Sequence, residues 1–88
     1  MNTKHLKAAL ALARHGSFTK AARELYVAQS TLSRHVAALE RELGAALFVR
    51  GLDSVTPTRA GTAFLSEAQA VLEATERARA AVQRECVA

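Results

Sequence analysis

The sequence predicts a mainly α-helical domain: a three-helix core, a small β-hairpin and a long C-terminal helix. Three observations carry this. Alanine fills 20 of 88 positions, against one proline and four glycines, a composition that favours helix over sheet. Apolar residues recur at helical spacing in four separate stretches. The pattern changes only once, between residues 47 and 58, where a short β-branched and aromatic run brackets a turn. A chain of 88 residues makes one small domain. It buries about 60% of its unfolded surface, so a partner helps to stabilise it.

Residues 3–14 read as a first helix, with Leu6, Ala9, Leu10 and Ala13 on one face. His15-Gly16 stops it, glycine being suited to the left-handed position after a helix end. Ser17 is an N-cap for a second helix, Phe18 to about Leu25. Ala21, Ala22 and Leu25 give that helix a narrow inner face. Tyr26-Val27-Ala28 leaves room only for a sharp turn, with Tyr26 expected as a lid over it. A third helix follows from about Gln29 to Leu43, with Leu32, Val36, Leu39 and Leu43 inward and Gly44 closing it.

Leu47-Phe48-Val49 and Val55-Thr56 are short extended pieces around the turn Arg50 to Ser54. Pro57 ends the hairpin, since it has no N–H for a ladder. Thr58 caps a fourth helix, about Arg59 to Arg84. Phe64, Ala68, Val71, Thr75, Ala78 and Val82 follow steps of 4, 3, 4, 3 and 4, with Leu65 and Leu72 widening the stripe. This is a heptad seam. Some 26 helical residues span roughly 39 Å, more than the rest of the chain covers. The seam therefore predicts pairing with a second chain, through Phe64, Ala68, Val71, Leu72, Thr75, Ala78 and Val82. Residues 1–58 form one expected domain and residues 59–88 a dimerising helix.

Charge is unevenly spread. Residues 1–36 carry six lysines and arginines against Glu24 alone, a net of +5. Residues 37–61 balance, and residues 62–88 carry −1. One basic end suits a polyanion such as nucleic acid. Cys86 has no second cysteine to pair with, which fits a reducing compartment. Arg14 interrupts the short apolar run 8–13, so no signal peptide is expected, and no stretch reaches the roughly 20 apolar residues of a membrane span. The expected setting is the cytoplasm. His5, His15, His35 and Cys86 share no ligand spacing. No nucleophile–base–orienter pattern is present. Neither an enzyme nor a cofactor or metal site is expected.

Two short helices, a sharp turn and a longer third helix make a helix-turn-helix, and the hairpin after them makes a wing. The outward side of the third helix carries Gln29, Ser30, Thr31, Ser33 and Arg34, polar, compact and free of acids. Gln reads adenine through two hydrogen bonds and Arg reads guanine. Ser and Thr hydroxyls and first-turn N–H groups suit phosphate. Lys20 on the second helix and Arg50 on the wing add positive charge. The expected partner is double-stranded DNA.

Five strings then point to one family. They are Gly16-Ser17-Phe18-Thr19-Lys20-Ala21-Ala22, Gln29 to Val36, Leu39-Glu40-Arg41-Glu42-Leu43-Gly44, Leu47-Phe48-Val49-Arg50 and Thr58-Arg59-Ala60-Gly61. In order and spacing the chain resembles the N-terminal region of LysR-type transcriptional regulators, from residue 3 to about 84. The resemblance implies a winged helix-turn-helix followed by a linker helix that makes a homodimer. It implies contacts to bases and phosphates from Gln29, Ser30, Ser33, Arg34 and Arg50. It also implies an effector domain, hence an effector ligand, only in a longer chain. Three positions depart from the family's habit: Ser30 replaces a frequent proline, Ala28 a frequent serine cap, and Asp53 a basic wing tip. The alternative class is a helical protein-interaction module that uses the fourth-helix seam without touching DNA.

Overall fold

The computed structural model describes residues 1–86. Its elements run α1 (Thr3–His15), α2 (Phe18–Leu25), α3 (Gln29–Leu43), β1 (Phe48–Arg50), β2 (Val55–Pro57) and α4 (Arg59–Cys86). The three-helix core, the hairpin and the long last helix predicted from the sequence are all present.

Local chemistry sets most boundaries. The Asn2 side chain accepts the Lys4 N–H at 2.8 Å and opens α1. Gly16, at φ +62°, closes it by donating its N–H to Leu12 O. Ser17 Oγ accepts the Lys20 N–H at 3.2 Å and opens α2. Gly44, at φ +68°, closes α3. Ala28 offers α3 no side-chain cap, as expected of alanine, though its carbonyl still accepts the Leu32 N–H. α1 runs one residue further than expected and α4 two, to Cys86.

The core is a close helical stack. Ala8, Ala9, Ala11 and Leu12 of α1 meet Ala21 and Ala22 of α2 and Leu32, Val36 and Leu39 of α3. Leu47 and Phe48 close it from below. Small residues on α1 and α2 let backbones approach, and fully burying a leucine such as Leu32 contributes about 1.5–3 kcal/mol. α1 is buried around more of its circumference than a single stripe, because α2, α3 and α4 all pack on it. Leu43, expected inside, is exposed in the last turn of α3.

β1 and β2 pair antiparallel, Phe48 with Pro57, Val49 with Thr56 and Arg50 with Val55. Leu47, expected in the strand, lies just before it. Its N–H and that of Phe48 are taken by the Glu40 carboxylate at 2.7 and 3.3 Å. The wing root is therefore tied to α3. Gly16 O accepts the Val55 N–H at 3.0 Å and ties β2 to the end of α1. Thr58 donates its N–H to Leu47 O and its hydroxyl to Ala46 O, and its Oγ1 accepts the Gly61 N–H. One threonine thus starts α4 and anchors it to the hairpin root.

α4 is 28 residues long, about 42 Å at 1.5 Å per residue. The molecule's long axis is 54 Å. Among the described residues, no helix is long and apolar enough to cross a membrane.

Candidate nucleic-acid interface

α3 presents a polar flank to solvent, opposite Leu32, Val36 and Leu39. Gln29, Ser30 and Arg34 are exposed, and Thr31 and Ser33 half-buried. Two contacts hold the long side chains. Thr19 Oγ1, on the first turn of α2, donates to Gln29 Oε1 at 3.1 Å. Arg34 Nη2 donates to Thr31 Oγ1 at 3.3 Å. The first bond leaves the Gln29 amide N–H groups and one carbonyl lone pair for a ligand. Lys20 is exposed beside Thr19.

Arg50 sits on the wing with its guanidinium carbon 4.5 Å from the centre of the Phe18 ring. This is cation–π distance, and it fastens the wing to the start of α2. Among the described residues Arg50 pairs with no acid.

Glu24 is the only acid in the first 36 residues. Its carboxylate receives Arg14 and, at 2.7 Å, His15 Nε2. Hydrogen bonds from Arg14 and then His15 hold its carboxyl below the usual range. The one negative charge of this half is thus matched locally. Lys4, Lys7, Lys20, Arg23 and Arg34 have no acid partner among the described residues. His35, on the other flank of α3, lies against His5 with ring centres 5.0 Å apart and the rings tilted by 41°. Burial first, then the charges of His5, Lys4 and Arg34, lower its affinity for a proton.

Several of these residues escape a reading of the sequence. Thr19 lies ten positions before Gln29, and only the crossing of α2 and α3 brings them together. Phe18, read from the sequence only as the start of the second helix, packs against the core, and its second use as a seat for Arg50 depends on where the wing folds. Tyr26, expected as a lid, is 96% exposed. The left-handed backbone that closes α2 at Tyr26 (φ +56°) leaves the ring in solvent.

The α4 seam is divided. Ala68 is 1% exposed and, with Phe64, Leu65 and Leu72, covers Leu6 and Leu10 of α1. Beyond it Val71 is 40% and Val82 62% exposed, Ala78 is exposed and Thr75 half-buried. The first half of the predicted seam is therefore largely spent inside its own chain. The periodicity predicts an apolar face, but does not distinguish α1 from a second chain as its cover. The cluster on α1 takes in α4 residues only as far as Leu72 among the described residues.

A polar recognition helix braced by α2, flanked by an anchored wing and backed by a matched acid, defines a winged helix-turn-helix DNA-binding region. Residues 3–62 match the family model of the bacterial regulatory helix-turn-helix proteins of the lysR family. The chain belongs to that family. It is similar to the nitrogen assimilation regulatory protein nac of Escherichia coli (strain K12), 43% identical over 82 residues, covering 93% of this chain and 27% of that protein. It is also similar to the HTH-type transcriptional regulator ClcR of Pseudomonas putida, 39% identical over 79 residues, covering 90% and 27%. The crystal structure of BenM_DBD with catB site 1 DNA superposes with a TM-score of 0.91 at 35% identity, over 100% of this chain and 99% of that one. That of CbnR_DBD with DNA gives 0.90 at 34% identity, over 97% and 98%. The chain spans about a quarter of the length of these curated relatives.

Proposed function

We propose that this chain binds double-stranded DNA sequence-specifically as a homodimer and serves transcription regulation. The observation that carries the reading is the face of α3: Gln29, Ser30, Ser33 and Arg34 with no acid among them, and Glu24 matched by Arg14 and His15. In this reading the N-terminal turns of α3 enter the major groove. Gln29 and Arg34 read base edges. Ser30, Thr31 and Ser33 meet bases or phosphate, and Lys20 and Arg50 meet the backbone.

Two copies joined through α4 would set two recognition helices on one side of the duplex. The target is then an interrupted palindrome with half-sites about one helical turn, or a multiple, apart. The exposed Val71, Ala78 and Val82, with Thr75, supply the contact between copies, while Phe64, Ala68 and Leu72, nearer the start of the same face, brace α4 on α1. Residues 1–58 act as the DNA-binding unit and residues 59–88 as the linker. The setting is the cytoplasm, and any effector ligand binds a longer chain.

A gel shift with and without excess nonspecific duplex tests the reading against the alternative of a protein-interaction module. Retention of a selected duplex under competition supports it. No shift at high micromolar protein favours the adaptor.

The wing tip is Leu52-Asp53, both exposed. A carboxylate near phosphates opposes binding by on the order of 1 kcal/mol in water, less in salt. The wing therefore contributes less than a basic one, leaving discrimination to α3. Asp53→Arg should tighten binding to specific and nonspecific DNA alike. It should steepen the salt dependence by about one or two counterions per wing. Parallel salt lines without tightening would mean that the tip does not meet DNA.

A further inference from the structure

α1, the turn after α2 and the flank of α3 enclose a cleft of about 420 Å³, lined by Lys4, Lys7, Leu25, Val27, Thr31 and His35. Leu25 and Val27 form its apolar part. Lys4, Lys7, Thr31 and His35 bring two ammonium groups, a hydroxyl and an imidazole to it. No acid lines it, and neither lysine is in an ion pair among the described residues. Such a site suits an anion with several acceptor oxygens.

Its place relative to α3 says which anion. A helix with its side chains is about 10–12 Å across, and the major groove is about 12 Å wide. A helix lying in the groove therefore has a phosphate wall on each flank. On one flank Thr19 reaches Gln29. The other flank is that of Thr31 and His35, where α1 brings Lys4 and Lys7. Arg34, proposed above to read a base, is bonded to Thr31 at 3.3 Å, so the cleft adjoins the reading face. We propose that this cleft is a second phosphate site, in which Lys4, Lys7, Thr31 and His35 hold a backbone phosphate of the bound duplex on the α1 side of the groove. The proposal rests on the DNA-binding reading above. It makes α1 a positioning element as well as a core helix.

A phosphate contact is independent of sequence, so a mixed-sequence duplex of about 30 base pairs, long enough to span both half-sites one turn apart, serves as the probe. Binding of the whole chain is measured across a salt series for the parent and for Lys4→Gln/Lys7→Gln. A second double variant, Arg77→Gln/Arg79→Gln, removes the same charge from the far half of α4. It measures the effect of charge at a distance. Thermal unfolding of each variant checks the fold. For every phosphate left without its cation, the salt slope should fall by about 0.9 and binding should weaken about eightfold at 0.1 M salt. The expected result is that change for Lys4→Gln/Lys7→Gln, with a much smaller one for the α4 variant. Equal changes in both, or none in the first, would overturn the site. Parent protein that binds no duplex at all would instead bring down the DNA reading itself. Inorganic phosphate is titrated against the free protein in parallel. Saturable binding that the Lys4→Gln/Lys7→Gln change abolishes while leaving the duplex salt slope intact would assign the cleft to a small anion and overturn the proposal.

Discussion

Gly61→Ala should destabilise the protein by about 2–3 kcal/mol. In an exposed helix the same change would stabilise by about 1 kcal/mol, since alanine is the better helix former. Here a Cβ would stand 1.9 Å from the Leu47 carbonyl oxygen and 2.9 Å from its carbon. The neighbour is backbone and has little room to give. Leu47 O accepts the Thr58 N–H at 2.9 Å, and its own N–H is held by Glu40. The added methyl must push α4 off the hairpin root and break the Thr58 anchor: overpacking costs about 1–3 kcal/mol and each lost hydrogen bond about 0.5–1.5 kcal/mol, which outweighs the gain in helix propensity. For a domain of this size the melting temperature should fall by roughly 10–20 °C. Thermal unfolding followed by circular dichroism reads this directly. A melting temperature equal to or above that of the parent would show that α4 does not pack this closely on Leu47.

Arg34→Ala should weaken binding to a selected duplex by about 1–3 kcal/mol and relax preference at one base pair of each half-site. Arg34 is the only charge in the first two turns of α3, it is exposed, and its bond to Thr31 limits where the guanidinium points. A partly ordered side chain loses less entropy when it binds. Removing a bare phosphate partner would lower affinity equally for all sequences. Removing a base partner changes the ranking of sequences as well. Binding to a panel of single-base variants separates the two, and an unchanged ranking with unchanged affinity would remove Arg34 from the site.

The parts of the fold legible in the sequence are those fixed by neighbouring residues. Ser17, Gly16, Gly44 and Thr58 act within a few positions of themselves, so the starts and stops they predict stand in the structure within two residues. The apolar steps of α3 likewise predict its buried Leu32, Val36 and Leu39. What is not legible depends on how distant segments cross. The seam of α4 is a true apolar face, but which half α1 covers follows from the angle at which α4 leaves Thr58. Gly61 reads only as part of a recurring string until the Leu47 carbonyl is seen against it. The candidate site divides in the same way. Gln29, Ser30, Ser33 and Arg34 follow from helical register alone. Their supports, Thr19 for Gln29 and Phe18 for Arg50, come from other elements, as do the lysines of the α1 cleft. Tyr26 shows the limit most plainly: a turn aromatic suggests a lid, yet the left-handed backbone that makes the turn sends the ring outward.

If α3 reads DNA sequence as one of a symmetric pair, selection of bound fragments from a pool of random duplexes tests it most directly. The selection is repeated over several rounds with this chain. The expected result is enrichment of two inverted half-sites separated by about one helical turn or a multiple, with Arg34→Ala losing preference at one position in each. A bound pool no different in sequence from the input would contradict it.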